Sequence, residues 1–129
     1  MSWSRAPVVA ALLALLGDAT AGDGVTVHER PPETLNPPAV VIHRPTVTYS
    51  TAGLGVDEAS LPLIIVGGIE SEAALDTLKE TCRQAILADP SLGGSVQSGY
   101  PSEERNWRNY TGAGGIQILQ VELVLTIQM

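Results

Sequence analysis

Residues Ala6 to Leu16 form a run of eleven without a polar side chain, and the run is sorted by size. At about 100° per residue, Val8, Val9, Leu12, Leu13, Leu15 and Leu16 fall on one arc of roughly 160°, with Ala10, Ala11 and Ala14 opposite. That sorting predicts a helix over 6–16 with a bulky face for a core. Pro7 fits its first turn, and Gly17 sits where a left-handed cap would end it. The same stretch also has the outline of a secretory signal: Arg5, an apolar run, then the small–x–small triplet Ala19-Thr20-Ala21. A membrane span is excluded, since a bilayer core needs about 20 apolar residues. The two alternatives place the molecule in different compartments.

Alternation with period two takes over next. Val25 to His28 has the pattern of a short strand, and "ERPPETLNPP" breaks it with four prolines. "AVVIHRPTVTY", residues 39–49, is rich in β-branched side chains, and Pro45 marks a bend or an edge position because it cannot donate to a ladder. "STAGLGVDEAS", residues 50–60, is small and acidic and predicts a projecting hairpin loop. "LPLIIVGGI", residues 61–69, is continuously apolar, as in a strand covered on both faces.

The period changes again over 71–89. Leu75, Leu78, Cys82 and Ile86, with Ala85, make one helical stripe; Ser71 can cap the start and Asp89-Pro90 stops the end. "SVQSGYP" is a short strand candidate. "SEERNWRNYT" is charged with Trp107 and Tyr110 embedded, and "GAGG", Gly112 to Gly115, is a turn. The final segment, 116–129, has apolar residues at every odd position from Leu119 to Met129 and mostly polar ones between, the pattern of a half-buried antiparallel strand.

The order is therefore α-β-β-β-α-β-β in one domain spanning 1–129. Two helices with one apolar face each, and a mostly antiparallel sheet with one apolar face, predict an α+β two-layer sandwich with both helices on one face. The first helix supplies roughly half of the bulky material for the helical layer.

Composition sharpens this picture. Apolar residues make up 44%, yet there is no Phe, two Trp and three Tyr, so the core must be aliphatic. Seven basic against fourteen acidic residues give a net charge of −7, which disfavours nucleic acid and anionic membranes as partners. Cys82 is the single cysteine, so no internal disulfide exists. Small secreted domains commonly add disulfides to a weak core, and this shifts the opening stretch towards a retained helix.

Candidate chemistry is sparse. His28, His43 and Cys82 show no metal-ligand spacing, and a thiol on a buried stripe lacks the electropositive, accessible setting of a nucleophile. Asp57-Glu58 and Glu103-Glu104 are adjacent acids of a solvated kind, and the glycines of "GAGG" lack the Lys and helix of a phosphate loop. Asn109-Tyr110-Thr111 matches a glycosylation acceptor, which matters only for a secreted eukaryotic protein. No catalytic constellation, metal set or cofactor motif emerges. Trp107 and Tyr110, aromatics among charges, fit interface anchors and equally fit covers for a sheet end.

Taken together, the short leading helix, "NPPAVVIHRPTVTY", the hairpin loop, "LPLIIVGG", "ESEAALDTLKETCRQAILADPSLGGSV" and "ILQVELVLTIQM" resemble the tail terminator (tail-completion) proteins of long-tailed bacteriophages, especially the short forms from phages of actinobacteria. The likeness covers nearly the whole chain, and "ADPSLGGSV" is its most distinctive piece. It rests on element order and length more than on fixed residues. The resemblance implies a non-enzymatic virion protein, assembled in the host cytoplasm, that forms a homohexameric ring at the head-proximal end of the tail tube. Such a ring stops addition of the major tail tube protein and joins the tail to the head-closure or connector protein, with DNA only passing through its lumen. The expected contact residues are Thr51, Leu54, Val56, Asp57 and Glu58 in the loop, and Trp107, Arg108 and Tyr110 near the end. Another neck subunit, and an exported small binding domain, are the alternatives.

Overall fold

The computed structural model describes residues 4–50, 57–68, 72–111, 113–115 and 117–129. Helix α1 is Arg5–Ala19, followed by strands β1 (Thr26–His28), β2 (Ala39–Ile42), β3 (Thr46–Thr48) and β4 (Glu58–Gly68). Helix α2 is Glu72–Ala88, and the long strands β5 (Ser98–Thr111) and β6 (Gln117–Gln128) complete the chain around a 3-10 turn at Ala113–Gly115. The fold is α+β, with two helices and a mixed six-stranded sheet, in the expected order of helices and strands. The sheet runs β1-β2-β4-β6-β5, with β3 also paired to β4; only β1 and β2 are parallel.

The core follows from the period of the two central strands. Ala59, Leu61, Leu63 and Ile65 on β4 alternate onto one face. The register places them beside Ile127, Leu125, Leu123 and Val121 of β6. Val40 and Ile42 of β2 extend the same face. Both helices share this cluster: Val8, Val9, Leu12 and Leu16 come from α1, and Leu75, Leu78, Cys82 and Ile86 from α2. On α1 the buried four lie in the middle of the bulky arc, while Leu13 and Leu15 at its margins are partly buried.

The structure differs from the sequence pattern in five places. Helix α1 runs through Gly17 to Ala19. Its end is made by the buried Thr20, whose Oγ1 and backbone N both donate to Leu16 O, at 2.7 and 3.0 Å. Residues 39–49 form two strands, because His43 to Pro45 leave the ladder and the chain passes from pairing Leu63 to pairing Ser60. The loop expected at 50–60 closes early, since Glu58 to Ser60 already pair with β3. Strand β4 is not covered on both faces: Pro62 and Ile64, opposite the helices, are only half-buried. The charged stretch 102–111 is strand, the outer part of β5. Edge position explains why it lacks apolar alternation, because Ser102 to Asn109 are all exposed. Ser71, the expected cap of α2, lies outside the described residues.

Two glycines have clear tasks. Gly114 and Gly115 hold φ of 71° and 76° in the turn joining β5 to β6, a region that side chains disfavour. Gly99 lies under Leu92, and a Cβ there would stand 3.2 Å from Leu92 Cδ1.

Two outcomes test this packing. Leu12→Ala should lower stability by about 2–5 kcal/mol, since the side chain is fully buried between layers; urea denaturation measures it. Replacing Leu123 and Leu125 together by Asp should abolish folding, because two carboxylates would enter the helix–sheet interface. A cooperative melt like the parent's would contradict the β6 register.

Candidate functional site

The expected contact residues divide into two groups at opposite ends of the sheet. Glu58 opens β4 opposite Gln128, whereas Arg108 pairs with Gln120. Eight residues along β6 separate these partners, about 27 Å at the rise of an antiparallel strand. Thr51, Leu54 and Val56 lie outside the described residues. Asp57 is 5% exposed and forms the base of the hairpin rather than its tip. Its Oδ1 accepts from Ser50 N at 2.9 Å, and its carbonyl accepts from Met129 N at 3.0 Å. Glu58 is exposed and accepts a long bond, 3.4 Å, from Gln128 Nε2.

The second group is built by irregularities in β5. Against β6, the strand gains one residue between Pro101 and Glu103 and another between Arg105 and Arg108. Asn106 absorbs the second bulge with φ of 57°, a conformation that Asn tolerates better than most residues. Register then puts Glu104 opposite the core residue Leu123, on the helical side, and Arg105 and Arg108 opposite Glu122 and Gln120, on the other side.

On the helical side, Lys79 of α2 reaches the edge strand. Its side chain is 7% exposed, and Nζ stands 2.6 Å from Glu104 Oε1, 2.8 Å from Asp76 Oδ1 and 3.3 Å from Glu80 Oε1. The ammonium is also 5.8 Å from the centre of the Trp107 ring, within range of a cation–π attraction. Trp107 Nε1 donates to Glu104 Oε2 at 2.8 Å, so the carboxylate bridges lysine and indole. Desolvation disfavours the charged lysine, but the hydrogen bonds it donates to Asp76, Glu104 and Glu80 outweigh this and hold its pKa above the usual lysine range. Lys79 and then Trp107 hold the Glu104 carboxyl below its ordinary value.

On the opposite side, Arg108 and Tyr110 pack on Gln120. With its amide oriented to suit its neighbours, buried Gln120 donates to Tyr110 Oη at 3.2 Å and accepts from Arg108 Nη2 and Nε at 3.0 Å. The Arg108 guanidinium lies 6.0 Å from the Tyr110 ring centre. Trp107 and Tyr110 therefore do not form one patch. Trp107 is 39% exposed beside α2, and Tyr110 is partly buried on the other face.

Cys82 is buried in the core, and burial pushes its thiol up to about 12, where thiolate chemistry at neutral pH is suppressed. Among the described residues, no three His, Cys, Asp or Glu side chains are grouped to hold a metal ion, and no helix is long and apolar enough to cross a membrane. Lys79 and Glu104 were not legible as site residues, because they meet only when α2 packs beside β5. Comparison of the sequence with protein-family models and with curated proteins returns no match to either.

Glu104→Gln tests the bridge. Its pKa is lowered on folding, so its contribution is present above the ordinary value of 4.5 and is lost as pH falls through the lower native value. Because its side chain is 38% exposed, the loss at neutral pH should be about 0.5–1 kcal/mol. Urea midpoints of variant and parent should differ at pH 7 and converge in acid.

Proposed function

We propose that this protein is the tail terminator of a long-tailed phage: a non-enzymatic subunit that assembles as a hexameric ring on the head-proximal end of the tail tube. The ring ends tube growth and offers its other surface to the head-closure or connector protein, with DNA passing through the lumen. Assembly takes place in the host cytoplasm, and the finished ring resides in the virion. No metal or cofactor is needed.

The observation that carries this reading is the outer edge of β5. Fourteen residues long, β5 pairs only with β6 among the described residues. A bare edge of this length is an aggregation hazard unless it is blunted, and two bulges, Pro101 and a run of charges do this. Among the described residues β1 and β5 are the outer strands, and edges of this kind suit a subunit that meets its neighbours side by side in a closed ring. The Trp107 indole, held at that edge by Glu104 and half-exposed, supplies an aromatic anchor of the kind that dominates such contacts. The surplus of acidic residues suits a channel that must let DNA slide without gripping its phosphates.

Negative-stain images of the protein mixed with its tail-tube subunit should show tubes of uniform end structure, each bearing one ring. Tubes that grow unchecked, with the protein left monomeric, would refute the proposal. Shortening the hairpin by removing only residues 52–56 should leave a folded protein, because Asp57 and β4 are spared, and should reduce capping. Unchanged capping would separate the hairpin from the tube contact.

A further inference from the structure

The seven basic side chains are unevenly employed. Lys79, Arg83 and Arg105 each lie within 4 Å of carboxylates, at Asp76, Glu80 and Glu104, at Glu80, and at Glu103 and Glu122 respectively. Arg108 is taken up by Gln120 and Tyr110. The other three line one open cleft of about 760 Å³, formed by Arg5, Arg30, Pro31, His43, Arg44 and Pro45. Arg5 is fixed there by a 2.7 Å bond from Nη2 to Glu29 O, a neutral acceptor. Arg30 has only a 3.9 Å approach to Glu29, with both side chains more than half exposed. Two prolines stiffen the wall, and α1, whose positive end opens at Arg5, has no acidic residue in its first turn. A protein of net charge −7 thus gathers three of its seven basic side chains around one recess.

The place of the recess matters. It opens where β1 and β2 end, on one side of the sheet, while β5 is the strand on the other side. Following the rungs across, Ile42 pairs with Leu63, Leu63 with Leu123, and Leu123 with Glu104. The next rung begins with His43 N donating to Pro62 O at 3.0 Å and continues through Val124 to Glu103. The basic cleft and the acids of β5 therefore share the same rungs on opposite sides. The three strand-to-strand steps from β2 to β5 span about 14 Å. Copies set side by side would bring plus to minus in a heterologous contact, which forms a ring where the rotation between copies closes.

We propose that the Arg5–Arg30–Arg44 cleft receives the carboxylates of the β5 edge, Glu103 first among them, from a second copy of this chain. Glu103 fits the role because its side chain is 54% exposed and its approach to Arg105 is loose, at 3.8 Å. Guanidinium forks favour planar carboxylates, which the exposed acids of β5 supply. This inference rests on the ring reading and specifies which surfaces meet.

The test uses the full chain and exposed residues whose replacement spares the core. Arg44→Glu and Glu103→Arg should each weaken ring formation about tenfold or more, by native mass spectrometry and sedimentation. The double variant should restore it, and raised salt should weaken the parent ring but not its fold. If both single variants form rings as the parent does, the inference fails and the ring proposal stands. If the parent stays monomeric even beside its tube subunit, both fail. If a short single-stranded oligonucleotide binds the parent but not Arg44→Glu, and the rings are unaffected, the cleft reads phosphate and the inference is overturned.

Discussion

The structure depends on one shared core, in which side chains of both helices cover the aliphatic face of the sheet, α2 over β4 and β6 and α1 beside it towards β1. Ala59, Leu61, Leu63 and Ile65 and their partners Val121, Leu123, Leu125 and Ile127 present an aliphatic surface with no aromatic filler. A surface of this kind gains stability only in proportion to the apolar area removed from water. It must be covered along its length, and two short stripes do this, Val8 to Leu16 and Leu75 to Ile86. Neither helix alone reaches the whole face, so the opening segment of the chain is part of the core in this fold.

Covering one face leaves the sheet's margins to be resolved by other means. On the β5 side the solution is electrostatic. Lys79 is drawn out of water by the packing of α2 but keeps its charge because three partly solvated carboxylates surround it. The bulge at Asn106 then brings Trp107 against the same ammonium. On the other face the buried amide of Gln120 is satisfied by Arg108 and Tyr110, so the two faces of one strand end are held by unrelated contacts.

Charge is distributed by the same logic. Four of the basic residues meet partners on α2, β5 and β6, and the other three are collected where the parallel pair β1 and β2 ends. The net excess of acid belongs to the whole chain, whereas the positive recess is a local property. Association is governed by the local property once surfaces are in contact, and by the net charge at longer range.

Much of this was legible in advance. The periods of Ala6 to Leu16, of Leu75 to Ile86 and of Leu119 to Met129 are set by bonds between near neighbours, and they announced both helices, the final strand and the aliphatic core. Local chemistry misled where a distant partner intervened. Gly17 offered a helix end, but Thr20 found Leu16 and the helix continued. The charges of 102–111 concealed a strand, since an edge position pairs through its backbone and asks nothing apolar of its side chains. Asp57 had the look of a loop acid and is instead a buried clasp. The sequence by itself determined the kinds of elements and the residues of the core, because side-chain period and size act over a few residues. Only the tertiary structure decided that Lys79 meets Glu104 and that Arg5, Arg30 and Arg44 surround one recess, because those encounters depend on strand order and register between residues far apart in the chain.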